Sequence, residues 1–220
     1  MGRAIDSTVP RPLIDMPLSL YQLKPKFQDL LRPFVSWLYR LGVTANQVTL
    51  FACAMSLAVG GLLYATPLEA EWFALLPLWL LLRMALNAID GMLAREFGQR
   101  SKLGAYLNEL TDVVSDAALY LPYAKLDGFS PLWVGVLILA AALSEMAGVL
   151  GQAVGASRRY DGPMGKSDRA FAVGALGLAV ALWHPLPGWV AWSIPVAAIL
   201  TLLTVANRVH AGIAESRGPL

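Results

Sequence analysis

From residue 42 onward the chain is built of long hydrophobic runs separated by a few compact polar stretches. The runs fall near 48–66, 72–93, 103–124, 131–156, 167–184 and 188–209. Several approach the roughly 20 apolar residues that a helical bilayer crossing needs. Ahead of them, Phe27, Leu30, Leu31, Phe34, Leu38 and Leu41 recur at helical spacing, with Lys24, Lys26, Arg32 and Arg40 as the cationic positions. This spacing predicts an amphipathic helix over 21–41, with Pro33 as a point of kinking or restart. Such a helix suits the membrane interface, or docks on the helices that follow, and both readings stay open. Residues 1–20 are interrupted by Pro10, Pro12 and Pro17 and are expected to be irregular. The pattern therefore predicts an all-α integral membrane protein. An interfacial helix precedes six transmembrane helices over 42–210, and a tail follows over 211–220.

Composition agrees with this pattern. Of the 220 residues, 57% are hydrophobic and 15% charged, with a mean hydropathy of +0.56. A soluble domain carries nearer about 25% charge. The lone Cys53 sits in an apolar run, where it reads as a small core hydrophobe and excludes an internal disulfide. The distribution of charge is more informative than its net value of +2. Fifteen of the 17 Lys and Arg residues fall in the N-terminal segment, the second-to-third link, the fourth-to-fifth link and the C-terminal end, the last with Arg208 and Arg217. Lys125 lies on the other side, and Arg83 lies within a span. By the excess of cations on cytoplasmic loops, both termini and both polar links face the cytoplasm, as expected of a bacterial inner-membrane protein.

The second and third spans carry polar groups at Asn87, Asp90, Asn108, Glu109, Asp112 and Asp116. Each charged side chain at a bilayer centre costs roughly 2.5–3.5 kcal/mol on insertion scales, so the cluster implies either a structural polar network or a bound ligand. On helices, Asn87, Asp90 and Ala94 share one face, and Gly104, Asn108, Asp112 and Asp116 form a stripe of successive i+4 positions. Two antiparallel helices joined by 95–102 would set these stripes face to face. Convergent oxygen ligands suit a hard cation such as Mg²⁺. At about 1.5 Å per residue, Asn87, Asp90, Asn108 and Asp112 lie roughly 7–14 Å from the cytoplasmic helix ends. Arg83 and Asp116 lie deeper, about 18–20 Å, which pairs Arg83 with Asp116 as a structural ion pair, or else with Glu145.

The run Asp90-Gly91-Met92-Leu93-Ala94-Arg95, followed by eight residues, Gly104, three residues, Asn108, three residues and Asp112, resembles the signature of the CDP-alcohol phosphotransferase family. That signature reads Asp-x2-Asp-Gly-x2-Ala-Arg-x8-Gly-x3-Asp-x3-Asp. The match has no gap, but Asn87 and Asn108 stand at its first and third acidic positions. Asn46-x2-Thr49 before the first span and the six-span plan resemble the family too.

The resemblance implies a transferase that moves a phosphatidyl group from CDP-diacylglycerol to the hydroxyl of a small alcohol, phosphorylated or not, and releases CMP. It implies Mg²⁺ or Mn²⁺ held at Asn87, Asp90, Asn108 and Asp112, with Asp112 as the base. Gly91 and Ala94 would leave room for the nucleotide beside Arg95, and Gly104 would let the two helices approach closely. It further implies a homodimer among membrane lipids, with no nucleic-acid partner. With two carboxylates at the matched positions, one tightly held ion is more plausible than a preformed two-metal site. A catalytically silent relative that binds CDP-lipid is the alternative. A proton-coupled transporter is disfavoured, because an ion path needs no Ala-Arg-x8-Gly framework.

The second polar link, Ser157 to Arg169, offers four cations among Gly and Pro. Arg159 and Lys166 are its candidates for a phosphorylated acceptor. Contact with anionic lipid headgroups explains the same charges. Gly151-x3-Gly155 is a candidate for close helix packing.

Overall fold

The computed structural model describes residues 24–65, 69–183 and 185–217, so the irregular segment expected over 1–20 lies outside the described residues. The described residues form seven α-helices: α1 (Lys24–Arg40), α2 (Ala45–Ala65), α3 (Leu75–Glu96), α4 (Lys102–Tyr120), α5 (Pro131–Ala153), α6 (Lys166–Leu182) and α7 (Ser193–Ser216). Their ends carry the expected chemistry. Thr44 and Gln47 cap α2 reciprocally, the Thr44 N–H donating to Gln47 Oε1 at 2.9 Å and the Gln47 N–H to Thr44 Oγ1 at 3.3 Å. Ser101 Oγ accepts from the Gly104 N–H at 2.9 Å at the start of α4. Pro131 opens α5, where its missing N–H costs nothing.

The helices close into a ring. α3 packs on α2, α2 on α4, α4 on α5, α5 on α7, and α6 joins α7 back to α3. One end of the ring is filled by apolar side chains. There Leu63 of α2, Leu76 of α3, Leu119 of α4, Leu137 of α5, Leu176 of α6 and Ile194 of α7 meet around Tyr123 and Phe129. The other end stays open and carries the polar residues. A second, smaller core joins α1 to the bundle, with Val35 packed among Ala45, Val48, Ile89, Met92 and Leu93. Tyr39 against Phe97, with ring centroids 4.6 Å apart, and an Arg32–Glu96 ion pair extend that seam.

The outer wall is apolar. Leu78, Leu81, Leu132, Leu139, Phe171 and Leu182 are each at least 60% exposed. Exposed apolar area on this scale has no place in water, and four of the described helical segments are long and apolar enough to cross a membrane. Trp72, Trp183, Trp189 and Trp192 are exposed at the end opposite the polar one, as interfacial anchors are. The exterior is that of an integral membrane protein.

At Gly60, α2 lies close against α4. A Cβ at Gly60 would lie 2.2 Å from the Ala118 carbonyl oxygen, whereas one at neighbouring Gly61 would meet nothing within 4 Å. Gly60→Ala is therefore expected to force the two helices apart and destabilise the bundle by about 1–3 kcal/mol. Gly61→Ala should leave it unchanged. Thermal unfolding of the two variants in detergent checks this, and equal midpoints would contradict the packing.

The structure revises two expectations from sequence. Gly155 is not helical: it sits past the end of α5 with φ +85°, a C-terminal turn position that favours glycine. Gly151 instead makes room for the chain folding back, since its Cβ would lie 2.7 Å from the Ser157 carbonyl oxygen, and Gly212 of α7 approaches it. Gly151-x3-Gly155 is thus a reversal point rather than a helix-packing stripe. The second revision concerns α3 and α4. They share no extensive seam of their own; each packs on α2, and an open cavity separates their polar faces.

Candidate active site

The cavity at the open end has a volume of about 1890 Å³ and is lined from α2, α3, α4, α5, α6 and α7. Asn87, Asp90, Gly91, Ala94 and Arg95 of α3 lie on its wall, and so do Gly104, Asn108, Glu109 and Asp112 of α4. Every residue of the 87–112 signature thus reaches one space. Asn46 and Thr49 of α2 form the floor between the two faces. Thr49 Oγ1 donates to Asp90 Oδ2 at 2.8 Å, which fixes a buried carboxylate.

Gly104 serves a different neighbour from the one expected. Its Cβ would lie 2.8 Å from Asn46 Oδ1 and 3.0 Å from Ser101 Oγ, so it makes room for α2 and for its own cap rather than for α3. Gln99, in the link between α3 and α4, holds this corner together. Its Oε1 accepts from the Ala45 N–H at 2.7 Å, and its Nε2 donates to the Val43 carbonyl at 3.4 Å. Over Gly91 lies the Arg95 guanidinium, 2.9 Å from where a Cβ would sit. Any larger residue at Gly91 would push that arginine away.

Asp112 is buried and held from two sides. Arg83 Nη2 lies 3.3 Å from its Oδ1, and Lys166 Nζ lies 2.5 Å from its Oδ2. Arg83 Nη1 reaches Asp116 Oδ1 at 2.6 Å, so one guanidinium spans both carboxylates. Asp116 is off the cavity wall. Its other oxygen meets Arg169 Nη2 at 3.2 Å. Arg169 in turn reaches Glu145 Oε1 at 2.9 Å, and Arg208 Nη1 lies 3.5 Å from the same oxygen. An unbroken line of alternating charges therefore runs from Lys166 through Asp112, Arg83, Asp116, Arg169 and Glu145 to Arg208. Buried charges are tolerable when paired in this way.

Three members of this line lay outside the sequence-based site. Arg169 and Arg208 were counted there among the cytoplasmic cations, yet they are 1% and 3% exposed. Glu145 binds Arg169 and Arg208, not Arg83. Their signal was present as helical period: Arg169, Val173, Leu176 and Val180 form one buried stripe of α6, and Thr201, Thr204, Arg208 and Ala211 one of α7.

Of the two arginines that follow α5, Arg158 lines the cavity and Arg159 does not. Arg159 Nε donates to Asp161 Oδ2 at 2.8 Å, and its Nη1 is paired with Glu215. The hydrogen bonds that it donates to Asp161 raise its already high pKa, so it is a fixed cation bracing the loop. Arg158 forks onto Glu109, with Nη2 3.0 Å from Oε2 and Nη1 bonded to Oε1.

The donor chemistry of the wall is hard oxygen: carboxylates from Asp90 and Asp112 and side-chain amides from Asn87 and Asn108. Among the described residues no three His, Cys, Asp or Glu side chains form a metal-holding group. Such a set fits a single hard divalent cation whose remaining positions come from water or from a ligand's own oxygens. It does not fit a soft or strictly tetrahedral metal.

Known proteins resemble this chain in sequence and fold. The model of the CDP-alcohol phosphatidyltransferase family matches residues 42–212. Inner membrane protein YnbA of Escherichia coli (strain K12) is 48% identical over 194 residues, covering 87% of this chain and 94% of YnbA. Among solved structures, Mycobacterium tuberculosis phosphatidylinositol phosphate synthase (PgsA1) with CDP-DAG bound superposes with a TM-score of 0.64 at 20% identity, over 82% of this chain and 92% of that one. The same protein in complex with manganese and citrate gives 0.65 at 20% identity, over 82% and 88%. At that identity the likeness speaks for the fold. The family model spans α2 to α7 and encloses the whole 87–112 signature, and on that extent the chain belongs to the CDP-alcohol phosphatidyltransferase family.

Proposed function

We propose that the protein transfers the phosphatidyl group of CDP-diacylglycerol to the hydroxyl of a small alcohol, with release of CMP. The observation that carries this reading is the meeting of Asp90, Asp112 and Lys166 on one cavity wall inside an apolar-walled bundle. The cavity offers charge and oxygen ligands for a pyrophosphate, and the surrounding wall suits acyl chains.

In this reading Asp112 is the base. Arg83 engages its Oδ1, so Oδ2 is the oxygen directed at Lys166 and the cavity. When the anionic donor enters, Lys166 has a second acidic partner and releases Oδ2 to accept the acceptor's hydroxyl proton. The acceptor oxygen then bonds to the phosphorus that carries diacylglycerol. The bond from that phosphorus to the bridging oxygen breaks, and its electron pair leaves with CMP. Asp90, oriented by Thr49, and Asp112 would hold Mg²⁺ or Mn²⁺ together with amide oxygens of Asn87 and Asn108. Such an ion offsets charge on the pyrophosphate. Gly91 and Ala94 leave space for the nucleotide, and Arg95 swings from Gly91 onto its phosphates.

The same reading sets the chain in its membrane. Helices α2–α7 cross it six times, α4 and α6 being the short crossings at 19 and 17 residues. α1 lies in the interface, in keeping with the exposed Leu30, Phe34 and Trp37 along it. The cavity and both termini face the cytoplasm, which agrees with the clustering of Lys and Arg at the open end.

The experiment is direct. Purified protein in mixed micelles with CDP-diacylglycerol, Mg²⁺ and a panel of alcohols is expected to release CMP, and EDTA should abolish the release. CDP-diacylglycerol binding without CMP from any acceptor would instead mark a silent binding protein.

A further inference from the structure

Which alcohol the site accepts turns on what its cations already hold. Six cationic and six carboxylate side chains line the cavity. Lys166 is engaged by Asp112, and Arg208 by Glu145 and the Ser144 carbonyl. Arg83 is held by Asp112 and Asp116. Arg95 lies over Gly91, on the side given above to the nucleotide, and Arg100 is exposed in the α3–α4 link. Arg158 is the remaining cation of the acceptor side.

Arg158 is closed by Glu109. Both terminal nitrogens of the guanidinium donate, one to each Glu109 oxygen, in a fork-to-fork pair. A phosphate monoester would use the same two donors with the same geometry. Glu145 Oε2 lies 3.5 Å from Arg158 Nη2, and the Tyr160 ring lies 5.2 Å beneath the guanidinium. The face that could receive an anion is thus filled by an internal carboxylate carried on α4, one residue after Asn108. A phosphorylated acceptor would have to displace Glu109 and leave that carboxylate half-buried beside a dianion. An unphosphorylated hydroxyl compound has no such conflict, and it can donate to the Glu109 carboxylate.

We propose that Glu109 is a specificity residue that occupies the anion position on Arg158, so that the acceptor is an unphosphorylated alcohol. This rests on the transferase reading above.

The test compares matched pairs, glycerol against glycerol 3-phosphate and inositol against inositol 1-phosphate, by CMP release from CDP-diacylglycerol. The wild-type protein is expected to favour the unphosphorylated member by about tenfold or more in kcat/KM, a loss in line with an unpaired buried polar group. Glu109→Ala, and Glu109→Gln as a variant of unchanged size, should raise kcat/KM for the phosphorylated member by about tenfold, the worth of one charge-assisted contact. The KM for CDP-diacylglycerol should stay where it was. A wild-type preference for the phosphorylated member, or unchanged discrimination in both variants, overturns the proposal. The wild-type comparison needs no variant to fold. If no acceptor yields CMP, the transferase reading has failed, and calorimetric titration of glycerol 3-phosphate then decides the role of Glu109. Binding confined to the variants supports it, and equal binding by wild type overturns it.

Discussion

Asp112→Asn is expected to lower CMP release by about 10²–10⁴-fold, the range that a positioned general base contributes, while leaving the fold intact. The expectation follows from how Asp112 is held. Its Oδ1 is 3.3 Å from Arg83 Nη2, and Arg83 keeps its shorter 2.6 Å bond to Asp116 whatever stands at 112. Asn retains a carbonyl oxygen for Arg83 or Lys166, so little packing is lost. What it cannot do is take a proton from a hydroxyl. Gel filtration should therefore resemble wild type, and CDP-diacylglycerol binding should be retained at raised Mg²⁺, while the rate collapses. A variant that kept more than about a tenth of the wild-type rate would remove Asp112 from the base role. Asp90→Asn should behave differently: its buried carboxylate is oriented by Thr49 rather than by a cation, so its loss should appear first as a higher metal requirement.

Much of this was legible in the chain, because local periodicity and spacing encode it. The residues from Asn87 to Asp112 face one cavity because i+3 and i+4 spacing sets them on two helix faces, which needs no knowledge of the rest of the fold. Their mode of meeting was not legible. Facing stripes suggested α3 against α4, but Asn46 and Gly104 show α2 inserted at their base, with the cavity between. Nor did the sequence separate Arg158 from Arg159. The two differ by one position on an irregular loop, and their directions are decided by Glu109 on α4 and Glu215 on α7, 49 and 56 residues away. Counting cations by loop also hid Arg169 and Arg208, since a charge at the first or last turns of a helix reads as solvated until its partners on other helices are known.

Arg169→Ala is expected to be the most destabilising single change in the polar half of the bundle, by about 3–5 kcal/mol, the cost of breaking a buried pair from one side. Arg169 is 1% exposed and joins three helices and a loop. Its nitrogens reach Asp116 of α4 at 3.2 Å, Glu145 of α5 at 2.9 Å, Ser144 Oγ at 2.9 Å and the Met164 carbonyl at 3.3 Å. Alanine leaves Asp116 to Arg83 alone and Glu145 to Arg208 and Arg158 at 3.5 Å each. Lysine at this position keeps the charge but cannot fork between two carboxylates, so Arg169→Lys should fall between alanine and wild type. The pairing also predicts non-additivity. Arg83→Ala and Arg169→Ala each leave Asp116 one partner, whereas the double variant leaves it none. Its loss should exceed the sum of the single losses. Thermal or denaturant unfolding in detergent measures all four proteins, and additive effects would mean that Asp116 does not couple the two arginines. Activity should follow stability here. Lys166 precedes Arg169 by one turn of α6, so a first turn that loses its anchor on α4 and α5 also loses the position of the ammonium that faces Asp112.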